Sequence, residues 1–598
     1  MRLLVLLGYG LVLLLLLGGL LLIAAGGVGL WLGDGEAFVF FIMLIGMGLS
    51  MSWNVLVGLF YRFPMPEGVR IDRQLAPELV REVDEVCRTL GASRPHAIVL
   101  SGDLNAALYT LPRLGILGWN RTVLVLGWPV LRLFDLEEVR GIIAHELGHQ
   151  IGDHGSGTDR LLRLRLIWIR LYERAIERGQ GNLTARFLRW YVPKFDRATF
   201  EIAREQEIEA DEASARIVGG DVASRALCRV EVLSREAAEH VHPDLELLPA
   251  TMAEPPDDLV ERLVAQLTQQ PASAERWLRE ALARPTTDAD THPALSERIT
   301  SMGQSPAVQQ APAPTRRAAA HSLLGEGNEA FGRQLSSALQ QSIADGWRER
   351  HEYLQQAAKR RDELLATAEP TEQTALELVQ LQLELLGDRS ALPMVEAFAA
   401  EYPDNPLAQF LLGQLYFNRD DPRCVTHLKR AMELDAEATV TCARLLEEWH
   451  LRHGEADHAL NQRLLAEQRG KLEEAAQLER AKAPRKRRLG KPKLSDTERE
   501  RIIAAAREQE HIAAVHVAAV DVTHMPEIPH HAIAIKMARS WFVPQSDKKD
   551  IPVLEAFNAK LDITGSWHLV TDNEAGTRVA AAVRKKGERV YWKKADGG

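Results

Sequence analysis

The sequence predicts a multidomain chain in four parts: an N-terminal transmembrane helical hairpin, an α+β domain, an all-α array and a small C-terminal α/β unit. Three observations carry this. The 598 residues exceed the ~250–300 at which a single core stops growing. Leu3 to Leu32 and Ala37 to Leu59 carry no charged residue, and each exceeds the ~20 residues a helix needs to cross the hydrocarbon. After Leu323 the apolar pattern becomes almost wholly helical. The boundaries are 1–60 for the hairpin, 61–303 for the α+β domain, 304–322 for a linker rich in Pro, Ala and Gln, 323–480 for the helical array, 481–494 for a basic linker and 495–598 for the last unit.

The average composition, 46% hydrophobic and 26% charged, excludes a polytopic channel and a wholly disordered chain. With 72 basic and 82 acidic residues the net charge is -10, so nucleic acid is excluded as the main partner, because phosphate binding needs a concentrated basic face. Cys87, Cys228, Cys424 and Cys442 are too far apart in sequence for a cysteine metal motif or a disulfide scaffold.

Arg2 precedes the first apolar stretch, Asp34 and Glu36 lie between the two, and Arg62, Arg70 and Arg73 follow the second. By the positive-inside rule both ends and the following domain are expected on the cytoplasmic side, and the expected location is the inner (plasma) membrane, as a multi-pass protein. The first stretch is too long for the core of a cleaved signal peptide. In the α+β domain, Pro77 to Leu90 is expected as an amphipathic helix, and His96 to Ser101 and Thr122 to Leu126 as short strands. Thr122 to Leu126 is either an edge strand, along which an extended peptide gains main-chain hydrogen bonds, or a buried central strand.

The most informative segment begins at Asp135. Asp135-Leu136-Glu137-Glu138 has the form of a capping box, and the helix it starts carries His145-Glu146-Leu147-Gly148-His149. Four residues make just over one turn, so both imidazoles project from one face and suit a single zinc ion. Glu146 lies beside them, within reach of a water that such an ion activates for hydrolysis. A third ligand must come from elsewhere. The HExxHxxGxxH solution has Gly152 in place but finds Gly155 where a histidine is needed, with His154 one position early. A later acidic helix offers four candidates, Glu201, Glu205, Glu207 and Glu209, and spacing alone does not choose, because Glu201/Glu205, Glu205/Glu209 and Glu207/Asp211 are all four apart.

Ile142-Ile143-Ala144-His145-Glu146-Leu147-Gly148-His149, Glu207-Ile208-Glu209-Ala210-Asp211-Glu212 and Thr291-His292-Pro293-Ala294-Leu295-Ser296-Glu297-Arg298-Ile299 occur in that order. Together they resemble the membrane zinc metallopeptidases typified by HtpX and the CAAX prenyl proteases, over roughly Arg62 to Gly303. The resemblance implies a zincin-like fold of gluzincin type with one zinc per chain. It implies Glu207 as third ligand beside His145 and His149, and Glu146 as general base then acid. Asp211 would orient a ligating histidine. His292 and Arg298 would contact the substrate carbonyl oxygen as it becomes negative, and Asn105 would lie near the substrate cleft. The implied activity is that of a membrane-anchored zinc endopeptidase acting on membrane or membrane-associated proteins in quality control. One departure is Leu161 to Tyr172, where Arg163, Arg165 and Arg170 suit a basic helix lying on the bilayer rather than a further span.

The segment from Asn405-Pro406-Leu407-Ala408 to Leu434-Asp435 resembles a tetratricopeptide repeat. Steps of 34 residues reach Glu372 behind it and Val440 ahead of it, giving three imperfect repeats that would recruit protein partners or substrates. The rival function is therefore a repeat scaffold or assembly factor whose peptidase domain is incidental or autoinhibited. The basic run from Lys482 to Lys493 is a solvated linker or a contact with anionic lipid. Beyond it, Ser495 to His511 is expected as a helix, Val515 to Val522, His568 to Thr571 and Arg578 to Val583 as strands, and His530-His531 as an exposed loop.

Overall fold

The computed structural model describes residues 2–32, 38–59, 64–113, 119–151, 165, 168–169, 172, 183–286, 292–367, 371–482, 488–537, 547–571 and 577–593. Outside them fall Asp34, Glu36, Arg62, Gly152, His154, Gly155, Thr291, most of the basic helix expected at 161–172, and the centre of the basic run at 483–487. The chain divides into two compact units, Met1–Met394 and Val395–Gly598.

In the first unit, α1 (Arg2–Leu32) and α2 (Phe38–Leu59) form an antiparallel helix pair. Within α1, Leu4–Leu32 is long and apolar enough to cross a membrane; the apolar part of α2, Phe38–Trp53, is shorter. The two backbones touch at glycines. A Cβ on Gly48 would lie 2.5 Å from the Gly19 carbonyl oxygen, and one on Gly19 would lie 2.9 Å from that of Gly48. Large apolar side chains such as Leu14, Leu21 and Met43 face outward.

The domain that follows is built on a sheet of order β1-β2-β4-β3: β1 (Val69–Ile71), β2 (Ala97–Ser101), β3 (Ala106–Pro112) and β4 (Asn120–Gly127). Strands β2 and β4 are parallel; the other pairings are antiparallel. The stretch Thr122 to Leu126 is thus a central strand, hydrogen-bonded on both sides. The edge next to it is β3, which the sequence reading did not assign because Ala106-Ala107-Leu108-Tyr109 has no clean alternation of apolar and polar residues.

Two helices cover one face of this sheet. The first, α3 (Pro77–Leu90), ends at Gly91 in the left-handed conformation, with φ 72°. The short α4 (Trp128–Leu133) leads into α5 (Leu136–Gly148). Leu79, Val83, Leu100, Leu124, Leu126, Ile143 and Leu147 make the shared core. Helices α6 (Leu183–Val218), α7 (Gly220–Glu236), α8 (Leu259–Leu267), α9 (Ala274–Ala283) and α10 (Leu295–Ser301) complete the domain.

Residues 304–322, expected as a linker, are instead a strap on this domain. The Ala311 amide donates to Glu275, the Ala313 carbonyl accepts from Arg229 at 2.7 Å, and the Ala319 amide donates to the Phe134 carbonyl at 2.8 Å. Its Pro, Ala and Gln show no long period because main-chain groups make these contacts, and Ala319 and Ala320 at its end enter the apolar core. Helix α11 (Asn328–Leu365) then binds the same domain, with the Trp347 indole donating to the Met252 carbonyl. Helix α12 (Glu372–Glu401) breaks at Gly387, φ 72°, and is two helices joined at that residue.

In the second unit, α13 (Pro406–Asn418) pairs with α14 (Arg423–Leu434), and α15 (Thr439–Arg452) with α16 (Ala456–Arg480). The helix starts at 372, 406 and 439 are 34 and 33 residues apart. A Cβ on Gly413 would already lie 2.8 Å from Leu428, so the first pair has no room for a larger residue there.

The C-terminal part is a five-stranded sheet. Strands β5 (Leu489–Gly490), β6 (Ile512–Val520), β7 (His530–Met537) and β8 (Ser566–Thr571) lie in that order, and β9 (Glu588–Trp592) also pairs with β6. Helix α17 (Asp496–Arg507) starts with a capping box from Ser495 and Glu498. Two expectations are corrected. Arg578 to Val583 lies in a helix, α19, after α18 (Asp547–Ala559): α19 (Thr577–Lys586) buries Ala580, Ala582 and Val583, and its run of alanines favours a helix over a strand. His530 and His531 are not in a loop; they open β7 and are only 4% and 3% exposed.

Burial pushes the His530 imidazole down to about 4 and also lowers His531. The folded state therefore rejects a proton that the unfolded chain, with an ordinary value near ~6.5, accepts. Stability is complete above pH ~6.5 and is lost as the pH falls from there toward about 4. Hydrogen exchange of β7 amides, compared with α3 amides as internal reference, is expected to accelerate across that window, and His530→Phe should blunt the response.

Candidate metal centre

The site begins at the start of α5. The Asp135 side chain accepts from the Glu138 amide at 2.8 Å, and Glu138 accepts from the Asp135 amide at 3.1 Å, closing the capping box. Glu138 is fully buried and is also held by Arg225 and Arg229, with N–O distances of 3.1–3.2 Å. A buried carboxylate survives only when paired this completely, and its charge lies at the positive end of the helix dipole.

One helix turn separates His145 from His149, and their rings meet edge-on with centroids 5.0 Å apart. The approach of α6 depends on two glycines of α5 that face it. A Cβ on Gly148 would lie 2.9 Å from the Ala210 Cα, and one on Gly141 would lie 3.0 Å from Val218. Gly148→Val is therefore expected to push α6 away and weaken zinc affinity by about 10-fold or more, the scale seen when a ligand is left poorly oriented. An unchanged affinity in a chelator competition would show that α6 tolerates the shift.

Helix α6 supplies Glu207 and Asp211. Glu207 carboxylate oxygens lie 3.7 Å from the Nε2 of His145 and 3.7 Å from the Nε2 of His149. Among the described residues these three are the group whose ligand atoms all lie within 4.8 Å of one another. Glu201 and Glu205 are on the exposed side of the helix. Asp211 lies 3.0 Å from the Nδ1 of His145, which fixes that proton and leaves Nε2 facing Glu207.

Asp211 is gripped in turn by Arg298, whose Nε and Nη2 donate at 2.7 and 2.8 Å, while Nη2 also lies 3.4 Å from Glu207. The Nε and Nη2 of Arg298 thus face the two carboxylates while the residue lines the cleft. His292 sits at the exposed rim with Nδ1 3.2 Å from Glu207. Asn105, just before β3, lines the cleft. That cleft has a volume of about 520 Å³ and joins the polar centre to apolar walls from Val130, Phe134, Leu227 and Val230.

Electrostatics separates the roles of the two glutamates. Burial pushes Glu146 up to about 7, against the opposing influence of His145 and the Leu108 amide. Burial would raise Glu207 too, but the His292 hydrogen bond and the charges of Arg298 and the two imidazoles hold it well below the usual carboxylate range. The same balance, led by burial and outweighed by Arg298 and His145, depresses Asp211. Burial, then His145, pushes His149 down to about 4, so at neutral pH it is a neutral imidazole with a lone pair to share.

Two imidazole nitrogens and one carboxylate oxygen are the donors of a catalytic zinc site. With one ligand atom per residue the three donors lie within 4.8 Å of one another, on the scale of the ~3.4 Å expected between ligands about 2.0–2.1 Å from a tetrahedral ion. The residues fit the metal. Residues 73–304 match the model of Peptidase family M48.

This domain is an M48 metallopeptidase domain. No curated protein matches the chain. The match covers α3 through α10 and so contains every residue of the centre.

Two features of the M48 domain were not foreseen from sequence. The Leu108 amide of edge strand β3 donates to Glu146 at 2.9 Å, which ties the acid–base residue to the strand at the rim of the cleft. Arg229 joins Glu138, at the start of the active-site helix, to the Ala313 carbonyl of the strap. A main-chain donor leaves no mark in sequence, so the first contact was out of reach. The second was signalled only by the glutamate of the capping box.

Proposed function

We propose that the protein is a membrane-anchored zinc endopeptidase that cuts membrane or membrane-associated proteins, in protein quality control. The observation that carries the reading is the convergence of His145, His149 and Glu207 beside Glu146 on one cleft. When bound there, zinc supplies a Lewis acid that polarises a carbonyl and acidifies a water. The remaining chemistry belongs to the chain. Asp211 holds the His145 ring, and Arg298 holds Asp211, so the donor atoms are positioned before substrate arrives. Glu146, buried and near neutrality in its proton affinity, takes a proton from water and returns it to the leaving amine. His292, at the rim, donates an N–H to the substrate oxygen as it gains charge. The free edge of β3 pairs with the extended peptide, whose side chains enter the apolar wall near Asn105.

The length and apolarity of α1 support anchoring, with α2 as its partner in a two-pass hairpin whose ends face the cytoplasm. The recurrence of helix pairs at 33–34 residues supports tetratricopeptide-like repeats that recruit substrates or partners. The test is capture of substrates in membranes by the Glu146→Gln chain. Membrane proteins retained by the variant and cut by the native chain support the reading. Capture of soluble proteins only would sink the membrane assignment.

A further inference from the structure

Helix α6 does more than deliver Glu207. Its first third is packed on α1: Leu188, Tyr191, Val192 and Phe195 share a core with Val12 and Val55, and the Tyr191 hydroxyl donates to the Leu4 carbonyl at 2.9 Å. Tyr191 and Trp168 close over Gly8, which has no room for a side chain. Tyr191 therefore lies level with the first turns of α1.

The opposite face of α6 changes character along its length. Arg189, Trp190, Pro193, Lys194 and Arg197 are exposed, and one to two turns further the exposed positions become Glu201 and Glu205. Trp190 is 50% exposed, with the Lys194 ammonium 5.4 Å from its ring centroid. An aromatic ring level with the end of an apolar helix, cations just beyond it and acids further out is the order a bilayer with anionic headgroups selects. Solvent alone gives no reason for the charge to reverse along one stripe.

We infer that the Trp190–Arg197 face of α6 docks on the anionic headgroup layer of the bilayer that α1 enters, and sets the height of the metal centre above it. This rests on the reading of α1 as a membrane span. Glu207 lies ten residues beyond Arg197, about 15 Å along the helix. An extended substrate spans at most ~3.3–3.6 Å per residue, so with α6 along the membrane normal about four to five extended residues bridge the headgroup layer and the metal centre. The substrate class is thereby membrane proteins cut in their juxtamembrane segments.

Site-directed spin labelling of the full chain tests this, because all four native cysteines are buried. Cysteine is introduced singly at Trp190, Lys194, Arg197 and Glu201, with Leu14 on α1 and the exposed Asp221 on α7 as references. Each variant is placed in vesicles of phosphatidylcholine and phosphatidylglycerol, and the label's accessibility to oxygen and to a water-soluble nickel complex is compared. The expected oxygen-to-nickel ratio is highest at 14, intermediate at 190, and falls through 194 and 197 to the value of 221 at 201. If 14 is deep but 190 and 194 match 221, the docking is overturned and the span stands. If 190 and 194 are shielded from both reagents, the face is covered by protein, such as a second copy, and the inference fails. If 14 itself matches 221, the membrane span fails and the docking falls with it.

Discussion

Glu146→Gln is expected to reduce peptide hydrolysis by about 10³-fold or more while zinc content stays at that of the native chain. Glutamine keeps the size of the side chain and an oxygen to accept the Leu108 amide, so the packing around it is preserved. What it loses is the capacity to take a proton and return it, a contribution of about 10²–10⁴ in rate. Glu146 is not among the three residues whose ligand atoms converge, so metal should remain. Steady-state cleavage of an unstructured polypeptide, together with metal analysis of the same sample, separates the two effects. A variant with native activity would remove Glu146 from the mechanism.

Glu207→Ala is expected to leave the purified chain nearly free of zinc, whereas Glu205→Ala retains it. The contrast is informative because the two glutamates are two residues apart on α6 and face opposite ways: Glu207 is buried between the imidazoles, and Glu205 is exposed. Removing Glu207 also strands Arg298 and His292, which lose one shared carboxylate partner. Some loss of thermal stability should therefore accompany the loss of metal. Equal zinc content in the two variants would mean that another residue completes the centre.

The active-site helix was legible to a residue. Asp135 and Glu138 form the capping box that their spacing announced, and the two histidines share a face as a period of 3.6 requires. The third ligand was less so, because spacing does not choose among the four glutamates Glu201, Glu205, Glu207 and Glu209. The resemblance implied Glu207, and the approach of α6 across Gly148 and Gly141 brings that residue to the two histidines. Arg298, expected at the substrate oxygen, lines the cleft and also grips Asp211, a contact that a sequence does not display.

Where the fold departed from expectation, backbone pairing or local composition decided. Strand β3 has little apolar alternation and is defined by seven residue pairs with β4. The strap at 304–322 lacks a period because it is held through main-chain groups. His530 and His531 looked like loop residues from their polarity, but neutral imidazoles are tolerated at the start of a buried strand, where His530 finds Ser566 at 2.9 Å.

That His145, His149 and Glu207 hold one catalytic zinc is tested most directly by titrating zinc into the chelated full-length chain while following hydrolysis of an unstructured polypeptide. Activity should be absent from the metal-free protein and should rise linearly to a plateau at about one zinc per chain, the single site formed by three protein ligands. Hydrolysis that persists undiminished without metal, or a plateau that is unchanged when Glu207 is replaced by alanine, would contradict it.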